Sequence, residues 1–170
     1  LYAYDKRHGW REPKNISSEI PEFIFNELQA GNLDILYQES NILDALGMKQ
    51  LNISLLRDYF TELVSFDKHS VGMVIDVNPE RVIYLNNAFK IKQLLWDDSY
   101  KWAKKKIDIN KLGPSPQNFY DILRKGDLIY TTEINGNFSL DQVPDAEVAF
   151  ISTDPSSGAI KAYVGGLNFS

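Results

Sequence analysis

The chain has 170 residues, which fits one domain or one and a half, and its composition is ordinary for a globular protein, with 44% hydrophobic residues. A net charge of −5 argues against a broad phosphate-binding surface, because nucleic-acid-binding proteins usually carry the opposite balance. No apolar run reaches the roughly 18 residues of a membrane span. There is no Cys, and the two histidines, His8 and His69, lack partners at a metal-ligand or triad spacing. The sequence therefore predicts no cofactor, no metal site and no catalytic residue in this chain.

The first 14 residues are charged and aromatic and contain Gly9 and Pro13, a composition typical of an extended connector. The chain begins with Leu1 rather than Met, so we expect it to be a piece excised from a longer protein.

Apolar residues then recur at helical spacing from 17 to 64. Pro21 and Gly31 are placed to start and stop a first helix. A second apolar series runs from Leu33 to Gly47, and a third helix is predicted from about 53 to 64. These residues predict a small helical part.

From His69 the hydrophobic period changes to two, which is typical of strands. Strands are predicted at 71–77, 82–85, 89–95, 127–134 and 137–143, with a helical turn at 119–123 and an Asn135-Gly136 hairpin. Five strands with a helical turn between the third and fourth follow the element order of an OB-type Greek-key barrel. We therefore predict an α+β fold: an OB-like five-stranded antiparallel barrel with an added N-terminal helical part.

The last 25 residues read as strand, tight turn, strand. Asp154-Pro155 and Gly158 supply turn chemistry, and Gly165-Gly166 follows the second strand. The pattern alone fits any antiparallel hairpin.

The stretch from Trp96 to Lys106 mixes aromatic rings and cations, residue types that anchor interfaces or stack on sugars and bases. The predicted partner-binding residues are Trp96, Tyr100, Lys101, Trp102, Lys104 and Lys105. The alternative is that the tryptophans pack into the barrel while the lysines are solvated.

Ser65 and Lys68 form an S-x-x-K sequence, the nucleophile motif of penicillin-binding enzymes. The chain contains neither Lys-Thr-Gly nor Ser-x-Asn, the motifs that accompany it in such sites. We therefore interpret this match as coincidental.

Three regions of the chain resemble class A penicillin-binding proteins, the bifunctional peptidoglycan synthases of Gram-negative bacteria. YDKRHGWR at 4–11 resembles the segment that leaves their glycosyltransferase domain. GPSP at 113–116, DILRKGDLIY at 121–130 and QVP at 142–144 resemble the second half of their OB-like insert. DPxxGAIxAxVGG at 154–166 resembles the opening of their transpeptidase domain.

The resemblance implies that 1–14 is a linker from the glycosyltransferase domain, 15–68 a helical part, 69–145 an OB-like docking domain and 146–170 the truncated start of the transpeptidase domain. It also implies a position at the periplasmic face of the inner membrane, with the anchor outside this chain. The catalytic residues of the parent would lie outside this chain too.

The resemblance implies a non-catalytic docking and regulatory role in cell-wall synthesis. The implied partners are a protein, such as an outer-membrane lipoprotein activator, and the adjoining glycosyltransferase and transpeptidase domains of the parent chain. A free-standing OB module that binds single-stranded nucleic acid or glycan is the alternative.

Overall fold

The computed structural model describes residues 2–37, 53–63, 69–108, 111–144 and 149–165. Its α-helices are α1 (Tyr2–Arg7), α2 (Glu22–Gln29) and α3 (Ile53–Glu62), with short 3₁₀ helices at Ser17–Glu19, Leu33–Tyr37, Asp98–Trp102 and Phe119–Asp121. The predicted helices near 21–31 and 53–64 are thus present. The rest of the predicted second helix, the Ser65–Lys68 motif and the ends of the C-terminal stretch lie outside the described residues.

Nine strands are described in three antiparallel sheets. They are β1 (His69–Val77), β2 (Arg81–Asn86), β3 (Ile91–Leu95), β4 (Lys106–Asp108), β5 (Lys111–Leu112), β6 (Leu128–Ile134), β7 (Asn137–Asp141), β8 (Ala149–Thr153) and β9 (Ile160–Gly165). Strands β4 and β5 form a small ribbon that the sequence did not predict, and β8 pairs with β9 as the predicted hairpin.

The main sheet contains the five predicted strands in the order β3-β2-β1-β6-β7. Its two edge strands, β3 and β7, approach each other, so the sheet is curled. Within the described ranges no backbone ladder joins them, so the predicted closed five-stranded barrel is not confirmed and the sheet is a half-barrel consistent with an OB-like fold. The Asn135-Gly136 turn joins β6 to β7, with positive φ at both residues, as a type I′ hairpin requires.

Both faces of this sheet are buried. Residues Val71, Met73 and Ile75 of β1 pack against α2 and α3, while Val74 packs on the opposite face. That opposite face, the inside of the curl, is filled by Trp10, Tyr84, Leu94, Tyr100, Phe119, Ile129 and Leu140. The helical part therefore covers the outside of the half-barrel, and the 3₁₀ helices with the N-terminal segment cover the inside.

Phe89 is not in a strand, although the sequence predicted that β3 would begin there. It has a φ of 55° in the turn before β3, and its ring lies 6.2 Å from that of Phe60 on α3. Packing against the helix outweighs its strand propensity.

The N-terminal segment, residues 2–12, is not the extended connector that its composition predicted. Residues 2–7 form α1, and the backbone turns at Gly9, where φ is 97°. Lys6 of α1 makes an ion pair of 2.8 Å with Asp141, which also accepts a 3.2 Å hydrogen bond from His69 Nε2. Tertiary contacts therefore stabilise a helix that is too short to be stable alone.

Gly72 allows the ring of Tyr84 to cross the inner face of the sheet. A Cβ at residue 72 would lie 2.6 Å from that ring and 2.8 Å from the carbonyl oxygen of Leu85. We expect Gly72→Ala to lower the free energy of unfolding by about 2 kcal/mol, because the ring and the strand must move. Gly31→Ala is the comparison, since no atom lies within 4 Å there and only its φ of +87° opposes the change, at about 1 kcal/mol. Urea unfolding measures both, and an equal cost would contradict the proposed packing constraint.

The charge of Asp141 stabilises the fold in a pH-dependent way. Burial raises the pKa of Asp141, but the hydrogen bonds from His69 and Lys6 outweigh burial and leave that pKa below its ordinary value. Such a carboxylate stabilises the folded state above its unfolded pKa of about 3.9, and this contribution is lost as pH falls through the lower folded pKa.

We therefore expect Asp141→Asn to be less stable than the unmodified chain by about 2 kcal/mol at neutral pH. The difference should shrink as pH falls below about 4. Urea unfolding at several pH values measures it. Asp98→Asn is the control, because it breaks the exposed Asp98–Lys101 pair and should cost less than about 0.5 kcal/mol. A loss at Asp141 that does not depend on pH would contradict the interpretation.

Candidate docking site

The aromatic and lysine-rich stretch from Trp96 to Lys105 follows β3 directly. Asp97 caps the 3₁₀ helix Asp98–Trp102, because its carboxylate accepts a 2.7 Å hydrogen bond from the backbone N–H of Ser99. This cap fixes the direction in which the following side chains leave the backbone.

The aromatic rings of this stretch pack mainly against other rings. Trp96 lies edge-on to Phe119 at 5.1 Å, and Tyr100 lies 5.2 Å from the same ring. Trp102 packs edge-on to Trp10 at 5.6 Å. Tyr100 is only 2% exposed, whereas Trp96 and Trp102 are half-buried. Tyr100 therefore offers almost no surface to a partner in this conformation.

The lysines of the stretch differ in their surroundings. Lys101 is exposed and pairs with Asp98 at 2.8 Å, and exposed Lys105 pairs with Glu12. Lys104 is half-buried, and its carbonyl oxygen accepts a 2.7 Å hydrogen bond from the backbone N–H of Trp10. The structure thus brings the six predicted residues into one region, and their role in partner binding stays a prediction.

A groove of about 790 Å³ runs along the gap between β3 and β7, which we call the seam. From β3 it is lined by Ile91, Lys92, Gln93 and Leu95, from the β6–β7 turn and β7 by Gly136, Asn137, Phe138 and Ser139, and elsewhere by Ile83, Asp97 and Tyr100. Leu95 is 60% exposed at its rim. The groove has mixed apolar and polar walls and two strand edges as its rims.

Side chains hold the two rims together where backbone hydrogen bonds do not. The ammonium group of Lys92 lies 4.6 Å from the centre of the Phe138 ring, in a cation–π contact across the seam. Tyr100 lines the same groove, and interactions of its hydroxyl with the Ser139 side chain and the Leu140 backbone lower its pKa, although burial has the larger effect. Burial raises the pKa of Tyr100 above its ordinary value, so this hydroxyl stays neutral at physiological pH.

Sequence reasoning found the Trp96–Lys105 stretch but not the seam. Lys92 and Phe138 are 46 positions apart, and each resembles an ordinary strand residue. The order of strands in the predicted OB-type barrel, which places the third and fifth strands side by side, was the available signal.

Some features of other site classes are absent from the part of the chain that the structure describes. No group of three side chains there could hold a metal ion. No helix in those ranges is both long and apolar enough to cross a membrane.

Comparison with known proteins agrees with this fold. The family model for the penicillin-binding protein OB-like domain matches residues 43–146. The crystal structure of penicillin-binding protein 1A from Haemophilus influenzae is similar with a TM-score of 0.52 and 18% identity, covering 96% of this chain and 18% of that one. At this identity the structural likeness supports the fold alone.

Curated relatives share the same description. The chain is 34% identical over 99 residues to penicillin-binding protein 1A of Pseudomonas aeruginosa, which covers 58% of this chain and 12% of that protein. It is 23% identical over 174 residues to penicillin-binding protein 1A of Vibrio cholerae, covering 99% of this chain and 18% of the relative. The chain therefore spans less than a fifth of the length of these relatives. Because the family model matches more than half of its residues, the chain belongs to the penicillin-binding protein family and contains its OB-like domain.

Proposed function

We propose that this chain is a non-catalytic docking and regulatory domain of a bifunctional peptidoglycan synthase, and that a protein partner binds it at the seam. The observation that carries the proposal is the groove between two strand edges in a domain of this family. The parent would stand at the periplasmic face of the inner membrane, and an outer-membrane lipoprotein activator is the partner that we propose.

The rims of the groove favour an extended polypeptide as the ligand. Within the described ranges, strands β3 and β7 each pair with a neighbour on one side only, and their other edges border the groove. An added strand pairs with such an edge through backbone hydrogen bonds, and side-chain pockets along the groove provide specificity. Exposed Leu95 and half-buried Ile91 supply the apolar part of such pockets.

The charge of Lys92 indicates which side chain the proposed ligand carries at this position. Lys92 lines the groove and is half-buried, and among the described residues no carboxylate pairs with it. A partially desolvated cation favours a ligand with a negative charge opposite it. We therefore propose a partner strand that places an Asp or Glu against Lys92.

The stretch from Trp96 to Lys105 would extend this surface beyond one end of the seam. Exposed Lys101 and the half-buried rings of Trp96 and Trp102 are its contributors in this proposal. Those rings pack on other aromatic side chains, which leaves less area for stacking on bases or sugars than the nucleic-acid or glycan alternative requires.

Leu95→Asp tests the seam directly. The variant places a charge on the exposed apolar rim, and we expect it to weaken binding of an outer-membrane lipoprotein about tenfold, which corresponds to 1.4 kcal/mol. Binding of solubilised outer-membrane lipoproteins to the immobilised chain provides the measurement. Tyr37→Asp is the matched control, because Tyr37 is a similarly exposed apolar residue on the helical part, at 69% against 60% for Leu95.

Equal binding by Leu95→Asp and Tyr37→Asp would exclude the seam as the docking site. Binding of a single-stranded oligonucleotide that falls steeply with salt would instead favour the nucleic-acid alternative. Binding of soluble peptidoglycan fragments that is lost in Trp102→Ala would favour the glycan alternative.

The non-catalytic part of the proposal predicts that labelled penicillin does not acylate this chain. Acylation of penicillin-binding enzymes combines S-x-x-K with further motifs such as Lys-Thr-Gly, which the sequence lacks. Intact mass spectrometry should show one unmodified species for the chain and for Ser65→Ala alike. A stable acyl adduct that disappears in Ser65→Ala would refute the non-catalytic assignment.

A further inference from the structure

The N-terminal segment, residues 2–12, is fastened to the residues that leave the main sheet. We call residues 141–144 the exit segment. The amide of Gln142 donates from Nε2 to Asp5 Oδ2 at 2.7 Å and to the carbonyl oxygen of Gly9 at 3.0 Å, and its Oε1 accepts from the backbone N–H of Arg11 at 3.3 Å. One side chain of the exit segment thus binds the N-terminal segment at three points.

Arg11 completes the contact from the other side. Its Nη1 donates to Asp5 Oδ1 at 2.8 Å, and its Nη2 donates to the carbonyl oxygen of Val143. Together with the Lys6–Asp141 ion pair, these bonds form a network that we call the polar clamp, made of Asp5, Lys6, Arg11, Asp141 and Gln142.

Because the clamp is buried, its hydrogen bonds depend on one another. Asp5 and Gln142 are each only 5% exposed, and both carboxylate oxygens of Asp5 accept hydrogen bonds within the clamp. Displacing one member would leave buried polar groups of the others without partners, which costs more than the lost bond itself. A shifted arrangement of the two segments is therefore disfavoured.

The N-terminal segment is also anchored in the core, which holds it in place relative to the main sheet. Trp10 is 5% exposed within the inner core, and its ring N–H donates to the carbonyl oxygen of Ile122 at 3.2 Å. The clamp therefore connects a fixed N-terminal segment to the exit segment across 130 or more positions of sequence.

We propose that the polar clamp fixes the direction in which the chain enters the domain relative to the direction in which it leaves, so that the domain acts as a rigid spacer between its flanking regions. The proposal rests on the proposed function only in naming those regions as the glycosyltransferase and transpeptidase domains. In that setting the clamp sets the relative orientation of the two catalytic domains.

Pulsed electron paramagnetic resonance distances in the 170-residue chain test this geometry. The chain has no Cys, so spin labels at Tyr4→Cys and Ile151→Cys, both at exposed positions, report on the two sides of the clamp. We expect one narrow distance peak in the otherwise unmodified chain and loss of that peak in Gln142→Ala. Lys125→Gln is the matched control, because it breaks an exposed ion pair with Glu22 outside the clamp and should leave the peak unchanged.

A second label pair, Arg81→Cys with Glu133→Cys, reports whether the sheet itself stays folded. An unchanged Tyr4–Ile151 peak in Gln142→Ala, or a broad distribution before any clamp residue is changed, would overturn the proposal. If Gln142→Ala unfolds the sheet, the milder Lys6→Gln decides: broadening supports the clamp and an unchanged peak overturns it. Penicillin labelling and partner binding do not enter this measurement, so its failure is distinct from failure of the proposed function.

Discussion

Burial of the main sheet on both faces is the constraint on which the rest of the structure depends. Strand β1 lies at its centre, with Met73 directed to the outer core and Val74 to the inner core. A sheet buried in this way needs covering elements on both sides. The chain supplies the outer cover before the sheet, as α2 and α3, and most of the inner cover between β3 and β6, as two 3₁₀ helices.

The curl of the sheet brings its two edges close together without backbone pairing between them. Side-chain contacts span the gap instead. Exposed strand edges promote unspecific pairing, and natural sheets often protect them with a lysine or an inward charge. Lys92 fits this description, since it lies inside the curl against Phe138. An apolar strand that entered the seam would bury an unpaired ammonium group, whereas a strand with a carboxylate would neutralise it. The same residue thus disfavours unspecific pairing and defines the ligand that we propose.

The strands of the sheet could be predicted from the sequence because β1 and β2 are short apolar runs rich in β-branched residues and bounded by turn residues, and because Asn135-Gly136 strongly favours a hairpin turn. The helices α2 and α3 were predictable for the corresponding reason, a helical stripe of core residues such as Ile24 and Leu28. These signals are local, and each lies within a window of a few residues.

The remaining features depend on distant residues. Residues 2–7 were predicted as an extended connector, because nothing in Tyr-Ala-Tyr-Asp-Lys-Arg shows that Lys6 meets Asp141. The histidine at 69 was set aside for lack of a neighbour in sequence, yet its partner is 72 positions away. Likewise, the rings of Trp96 and Tyr100 have the composition of an interface, and only the position of Phe119 shows that they pack on one another. Composition identifies such residues, but it does not show whether their side chains are buried or exposed.

The proposed docking site and the polar clamp share strand β7. Its residues Asn137 to Ser139 line the seam, and its last residue, Asp141, belongs to the clamp and is followed by Gln142. A partner changes the orientation of flanking regions only if it binds two arrangements of the chain with different affinity. A strand added at the seam contacts β7 along its free edge, so any shift of β7 that separates Asp141 from Lys6 changes both the docking surface and the clamp. Under the proposed function, regulation would require no long pathway, because one five-residue strand, β7, would connect the proposed partner to the exit segment.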